Sequence, residues 1–463
     1  MKTILVVICT AFILVSVGAK DINTQIGGIY EGDIKGKIIQ LCRVEHGKPQ
    51  QVEVVRLDDK GQFEFKVAIE RPELFVVKVL SDKHKNEVRG ERGLKRFYLE
   101  KGDEISIKLE DDAYELLKPV DERNNVLSKW NNVVDTIYSA GYNTHIDYKT
   151  YFPLLPEFVE TVNKFKKEIR TNDADFNELM NLLVDTDLNV SALYFIYSMH
   201  SIHPTRDLYP DYYQYIVNEQ APKSERLLEL PMGSEYIRLY TLHAALTEIG
   251  DRKADADELK ELALSKIESD LLKGYYLIEG LHRYRSYDDS YMVYKKEIAP
   301  YLLNNYLKEK VAAFEKTIRE FEKGTPAIDF TGIDVNGKVH KLSDYKGKLV
   351  YVDVWATWCG PCKAEIPALK ALEEKYHDKP IIFLSISVDK SKDRSKWQAF
   401  VEDKELKGVQ LIADDAFNSK VARAYKITGI PRFMLFDTDG NIITTDAPRP
   451  SDNNLETLLN HNF

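Results

Sequence analysis

Cysteine is scarce in this chain, with four in 463 residues. A disulfide framework is therefore excluded as the source of stability, and a chain of this length must hold together by packing. Positive charge is not in excess either: 64 Lys and Arg stand against 74 Asp and Glu, giving a net charge of −10. That balance argues against a nucleic-acid footprint, and the local basic cluster from Lys83 to Arg96 is broken by Glu87 and Glu91, so it reads as a solvated loop. Long apolar runs are missing as well. After the first residues no stretch reads as reaching the roughly 20 apolar residues that a membrane span needs.

The first residues are the exception. Lys2 precedes an apolar run from Ile4 to Val17, and Val17-Gly18-Ala19 supplies a small-residue cleavage site before the polar Lys20-Asp21. This reads as a secretory signal over residues 1–19, leaving a mature protein outside the cytoplasm with no stable membrane span. Cys9 departs with the signal. Cys42 alternates with apolar residues in Ile38-Ile39-Gln40-Leu41-Cys42, which suits a buried core cysteine, a third redox thiol being the sharper alternative.

Cys359 and Cys362 remain, and the chain is organised around them. The apolar run Leu349-Val350-Tyr351-Val352-Asp353-Val354-Trp355 predicts a buried strand, followed by Trp358-Cys359-Gly360-Pro361-Cys362. Two cysteines so spaced can close a small disulfide ring. Gly360 and Pro361 let the chain turn into a helix whose first N–H groups face the first sulfur, a field that favours thiolate over thiol. Cys359 is thus the attacking sulfur and Cys362 the resolving one. Structural zinc would need a second pair or two histidines at ligand spacing, and none follows, so no metal is expected.

These residues resemble the thioredoxin superfamily, and the likeness covers about the last third of the chain. Trp355-Ala356-Thr357-Trp358-Cys359-Gly360-Pro361-Cys362-Lys363 is similar to the family's active site, Pro367 falls where its helix kinks, and Gly429-Ile430-Pro431 matches its cis-proline loop. The resemblance implies an α/β thioredoxin-like fold in which Ile430-Pro431 is cis and, with Trp358, Gly360 and Pro361, meets an extended substrate. It implies that Asp353 is a buried acid that takes the proton of Cys362; an acid tolerating burial through a hydrogen bond is the other reading. Glu365 matches an acid of envelope thioredoxins of the ResA and TlpA type, or is an ordinary solvated helix residue. Ser385 stands where cytosolic relatives place a lysine, and Asp446-Ala447-Pro448 replaces a glycine that lines the family's groove. An insert between Asp389 and Asp415 predicts a helix from Ser395 to Glu405 and a strand from Val409 to Ala413, as in envelope members.

The rest of the chain predicts two further domains. Period-two apolarity in 37–43, 51–57, 62–69, 75–80, 95–99 and 104–109 predicts a β-sandwich over residues 20–113 with one buried face per strand. It is similar to a β-rich domain of unassigned role found ahead of envelope thioredoxins. Helical spacing then predicts an all-α domain over 114–323, rich in tyrosines that cover a core rim or form a partner surface. His200 and His203 lie too close to Pro204 to share a helix face and read as structural or solvated, and Asp251, Asp255 and Asp257 suit helix capping better than a calcium loop. The thioredoxin-like domain occupies 324–463.

The function expected is a periplasmic thiol:disulfide oxidoreductase reducing protein disulfides, with no cofactor beyond its own dithiol and a membrane thiol reductase as electron donor. A thiol peroxidase is disfavoured by Ala356, where the peroxidatic pattern has threonine. An envelope binding protein with a secondary redox site is the alternative from another class.

Overall fold

The computed structural model describes residues 23–81, 95–198 and 203–463. The signal-like residues 1–19, most of the basic cluster and His200 lie outside them; the end of that cluster, Lys95 and Arg96, is buried on a strand and not solvated, and His203 is exposed. The chain divides into two compact units, Met1–Tyr276 and Leu277–Phe463.

Among the described residues eight strands open the first unit: β1 (Thr24–Tyr30), β2 (Lys37–Glu45), β3 (Lys48–Arg56), β4 (Gln62–Val67), β5 (Glu73–Ser81), β6 (Lys95–Leu99), β7 (Glu104–Leu109) and β8 (Tyr114–Leu116). They form two four-stranded sheets of order β4-β1-β7-β8 and β3-β2-β5-β6. Ile26, Phe65 and Ile107 of one sheet share a core with Leu41, Phe75 and Leu99 of the other. Intervening residues of the second sheet, Cys42, Val44, Leu74, Val76 and Tyr98, enter a different core with the helices Glu122–Gly141, Leu155–Lys166, Ala174–Tyr197 and Gly233–Ile249. The expectation of one buried face therefore fails for β2, β5 and β6, whose outer side packs on helices, and all five residues of β6 are buried.

Two strands were not expected. β1 carries Gly27 and Gly28, which mask its pattern, and a Cβ on Gly28 would lie 1.7 Å from the Ile107 carbonyl oxygen. Tyr114–Leu116, expected to begin the helical region, is β8; the first helix starts at Glu122, after Asp121 accepts the Asn124 N–H at 2.8 Å. Asp255 likewise caps the helix Ala256–Ser265 through the N–H groups of Asp257 and Glu258. The helix Ala174–Tyr197 corrects the reading that no later stretch could span a membrane: its length and composition would allow it, but 78% of its apolar window is buried inside the protein. Tyr213 and Tyr240 are also core residues, their hydroxyls donating to the carbonyls of Ala192 and Val217.

The second unit begins with helical segments and contains β9 (Thr331–Asp334), β10 (Val339–Lys341), β11 (Leu349–Trp355), β12 (Ile381–Ser387), β13 (Val409–Ile412), β14 (Arg432–Phe436) and β15 (Ile442–Thr444). They form one seven-stranded sheet of order β10-β9-β13-β12-β11-β14-β15. β11, β12 and β13 run parallel, and the flanking pairs are antiparallel. Gly337, at φ 89°, turns the β9–β10 hairpin predicted from Asn336-Gly337. The insert supplies the helix Arg394–Asp403 and β13, which lies between β12 and β9. β11 is buried on both faces: Val350, Val352 and Val354 enter one core and Leu349 and Tyr351 another, which includes Leu369, Leu372, Leu455 and Leu459 of two helices. The continuous apolar run read from the sequence is the mark of such a central parallel strand.

Candidate active site

β11 delivers the chain to the site. After Trp355 a turn closes through the Cys359 N–H donating to the Ala356 carbonyl at 3.0 Å. Asp389, buried just past β12, accepts from the Thr357 N–H at 2.9 Å and its hydroxyl at 2.8 Å, and from the Ser387 hydroxyl at 2.7 Å. Cys359 then caps the helix Gly360–Lys375, its Sγ accepting the Cys362 N–H at 3.2 Å. Pro361 sits in the first helical turn, where no N–H is required. Cys359 and Cys362 form a disulfide with Cα atoms 5.3 Å apart. Both are buried, whereas Gly360 and Pro361 are exposed and Trp358 keeps 55% of its surface beside Phe417.

The Ile430-Pro431 peptide is cis, and Ile430 packs against the cluster that contains both cysteines. The departure at Asp446 takes the form of an ion pair: Arg432, next to the cis-proline, reaches its carboxylate at 3.1 Å. Ser286, on the loop before the helix Asp289–Ile298, bonds Thr445 through both backbone and side chain.

Asp353 lies opposite Ser385 in the β11–β12 register and is half-buried. Burial raises its pKa to about 7, the fields of Glu365 and Glu373 push the same way, and a hydrogen bond from Ser385 opposes them. It shares a small cavity with Cys362, Ser385, Glu373, Lys407 and Gln410. The cavity measures about 10 Å³, close to the roughly 10–15 Å³ that one water needs. Glu373 is also half-buried, and burial raises it to about 7 against the fields of Lys407 and Lys370. Glu365 points elsewhere. It is buried, its carboxylate accepting the Ser451 N–H at 3.0 Å and hydroxyl at 3.1 Å, with Arg449 at 3.8 Å. It anchors the loop ahead of the helix Asn453–His461.

Asp389, Glu373 and Gln410 escaped the sequence reading. Asp389 ends an apolar strand, which is a usable signal for a buried acid. Glu373 is one charged residue among several on its helix and carries no distinguishing pattern. Among the described residues, no group of three or more His, Cys, Asp or Glu could hold a metal ion.

The Redoxin family profile matches residues 322–459. Thiol-disulfide oxidoreductase ResA of Bacillus thuringiensis subsp. konkukian is 31% identical over 140 residues, covering 30% of this chain and 78% of that protein. Thioredoxin-like protein YneN of Bacillus subtilis is 31% identical over 121 residues, covering 26% and 69% respectively. Among solved structures, the thioredoxin domain of a thiol-disulfide oxidoreductase from Bacteroides vulgatus is 28% identical, covering 30% of this chain and 98% of that one, with a TM-score of 0.28.

Proposed function

Because the chain belongs, through its C-terminal third, to the redoxin family of thioredoxin-like thiol-disulfide oxidoreductases, we propose that it reduces protein disulfides in the periplasm. The observation that carries this reading is Cys359 Sγ at a helix N-terminus, accepting the N–H of Cys362. Once the disulfide is reduced, that N–H and the helix dipole stabilise a Cys359 thiolate. The thiolate attacks one sulfur of a substrate disulfide, a mixed disulfide forms, and the first substrate thiolate leaves and is protonated. Cys362 then gives its proton to Asp353 and attacks Cys359 Sγ. The second substrate thiol departs, and two electrons have passed from the dithiol to the substrate.

Trp358, Gly360 and Pro361 offer exposed surface for the substrate chain, and the backbone of Ile430 and Pro431 offers hydrogen-bonding groups beside it. The enzyme ends oxidised, so a membrane thiol reductase restores the dithiol, and no cofactor beyond Cys359 and Cys362 takes part. Lys2, the apolar run from Ile4 to Val17 and Val17-Gly18-Ala19 support export. The paired sheets, read as a β-sandwich, and the all-α array then select substrates or hold the redox domain at a complex.

The test is a trap. Cys362→Ser expressed in the periplasm leaves mixed disulfides on Cys359 unresolved, and mass spectrometry identifies the proteins attached. Recovery of exported cysteine-containing proteins is expected; no adduct, with Cys359 open to alkylation, would overturn the proposal.

A further inference from the structure

The cavity behind Cys362 holds more chemistry than one proton acceptor uses. Asp353 and Ser385 come from neighbouring parallel strands, Cys362 and Glu373 from the active-site helix, and Lys407 and Gln410 from the insert. Gln410 is 8% exposed and its Nε2 donates to the Lys407 carbonyl at 2.7 Å, which fixes the amide orientation. Its Oε1 is buried and, among the described residues, has no hydrogen-bond partner. A buried acceptor of this kind calls for a donor. A carboxylate cannot be one, but a protonated carboxyl, or a water between two carboxyls, can. The cavity therefore gathers two carboxyls, a hydroxyl and a buried amide acceptor around space for about one water.

We propose that Glu373 is the second carboxylate of a proton path running from Cys362 through Asp353 to solvent beside Lys407. This rests on the oxidoreductase reading above. When Cys362 resolves the mixed disulfide, its proton moves to ionised Asp353, and Glu373 passes a proton outward, so the site returns to its starting charge. Asp353 faces Ser385 across the sheet and receives the fields of Glu365 and Glu373. Glu373 faces Lys370 on its own helix and Lys407 from the insert, which also pairs with Glu374 at 3.2 Å. The lysines favour the ionised form of the outer carboxylate against its burial, while the inner one has Ser385 as its hydrogen-bonding neighbour. Glu373 touches neither substrate nor sulfur in this scheme; it is a positioning residue acting through Asp353.

The experiment follows reduced full-length protein reacting with an aromatic disulfide that releases a coloured thiol. Its first phase reads attack by Cys359 and its second reads resolution by Cys362. Absence of both phases in the native enzyme would defeat the oxidoreductase reading and not this one alone. For Glu373→Gln, of equal volume, the first phase should be unchanged and the second should slow about 3-fold to 10-fold at neutral pH, less than the loss of a whole acid–base catalyst. The alkaline-rising limb of the second phase should move to lower pH, because one negative charge near Asp353 is gone, and Glu373→Asp should restore most of the rate. Superposition of the second phase on native at every pH, equal slowing of both phases, or a slowed second phase with an unmoved limb would overturn the assignment.

Discussion

Asp389 holds Thr357 at two points, through its backbone N–H at 2.9 Å and its hydroxyl at 2.8 Å. The pair ties the end of β12 to the turn that presents Trp358 and Cys359. Replacing Asp389 with Ala leaves a buried N–H and hydroxyl without an acceptor, so a loss of about 2–4 kcal/mol is expected in urea unfolding. The turn also loosens, and displacement of a reacting group by about 1 Å can cost on the order of 100-fold, so disulfide reduction should fall about 10-fold to 100-fold. Asp389→Asn, which still accepts one of these bonds, should retain more of both. Unchanged turnover in Asp389→Ala would show that the turn holds its shape without this tie.

Asp353 should make stability fall as pH rises. Its carboxyl is held up to about 7 by burial, against an ordinary value of 3.8. The folded state therefore keeps a proton that the unfolded state has already released, and stability declines between about pH 4 and pH 7 and then levels off. A tenfold change in proton affinity corresponds to about 1.4 kcal/mol, and relaxation around the cavity relieves part of the total, so the loss is about 2–4 kcal/mol. Asp353→Asn should match the native enzyme near pH 3 and exceed it by that amount at pH 8, in urea unfolding with the disulfide intact. A difference that does not change with pH would sink the claim.

The redox site was legible because its signals are local. The apolar run of β11, the Cys-Gly-Pro-Cys turn and Gly429-Ile430-Pro431 each state a backbone requirement that one segment meets by itself. Asp353 was legible for a related reason, since an acid inside an apolar run must be explained. The remainder depends on contacts between distant segments. Gly28 reads as a strand breaker until Ile107 is seen against it, where β1 and β7 pair in parallel. Cys42 reads as one position of an alternating strand, yet it faces helices rather than the neighbouring sheet. Glu365 looks like a solvated helix residue until Ser451, 86 residues later, is found on its carboxylate. Glu373 and Gln410 acquire meaning from the cavity that Asp353 and Cys362 share with them.

The first unit makes a separate prediction. Arg96 on β6 meets Asp187 on the helix Ala174–Tyr197 at 2.8 Å, with both side chains fully buried. Trp130 Nε1 and the Tyr138 hydroxyl donate to the same carboxylate at 2.7 and 3.0 Å, and Arg96 Nε donates to Asn131 at 2.8 Å. Removing one partner strands the other charge in a dry core, which typically costs about 3–5 kcal/mol, whereas replacing both by apolar groups of similar volume is often neutral. Asp187→Leu should therefore destabilise the protein by about 3–5 kcal/mol. Adding Arg96→Met to it should recover most of that loss, since no charge is then left unpaired, although Trp130 and Tyr138 still lose their acceptor. Chemical denaturation of the two single variants and the double variant measures the coupling. If the double variant were as unstable as the sum of the singles, Arg96 and Asp187 would be contributing two independent contacts and not a coupled pair.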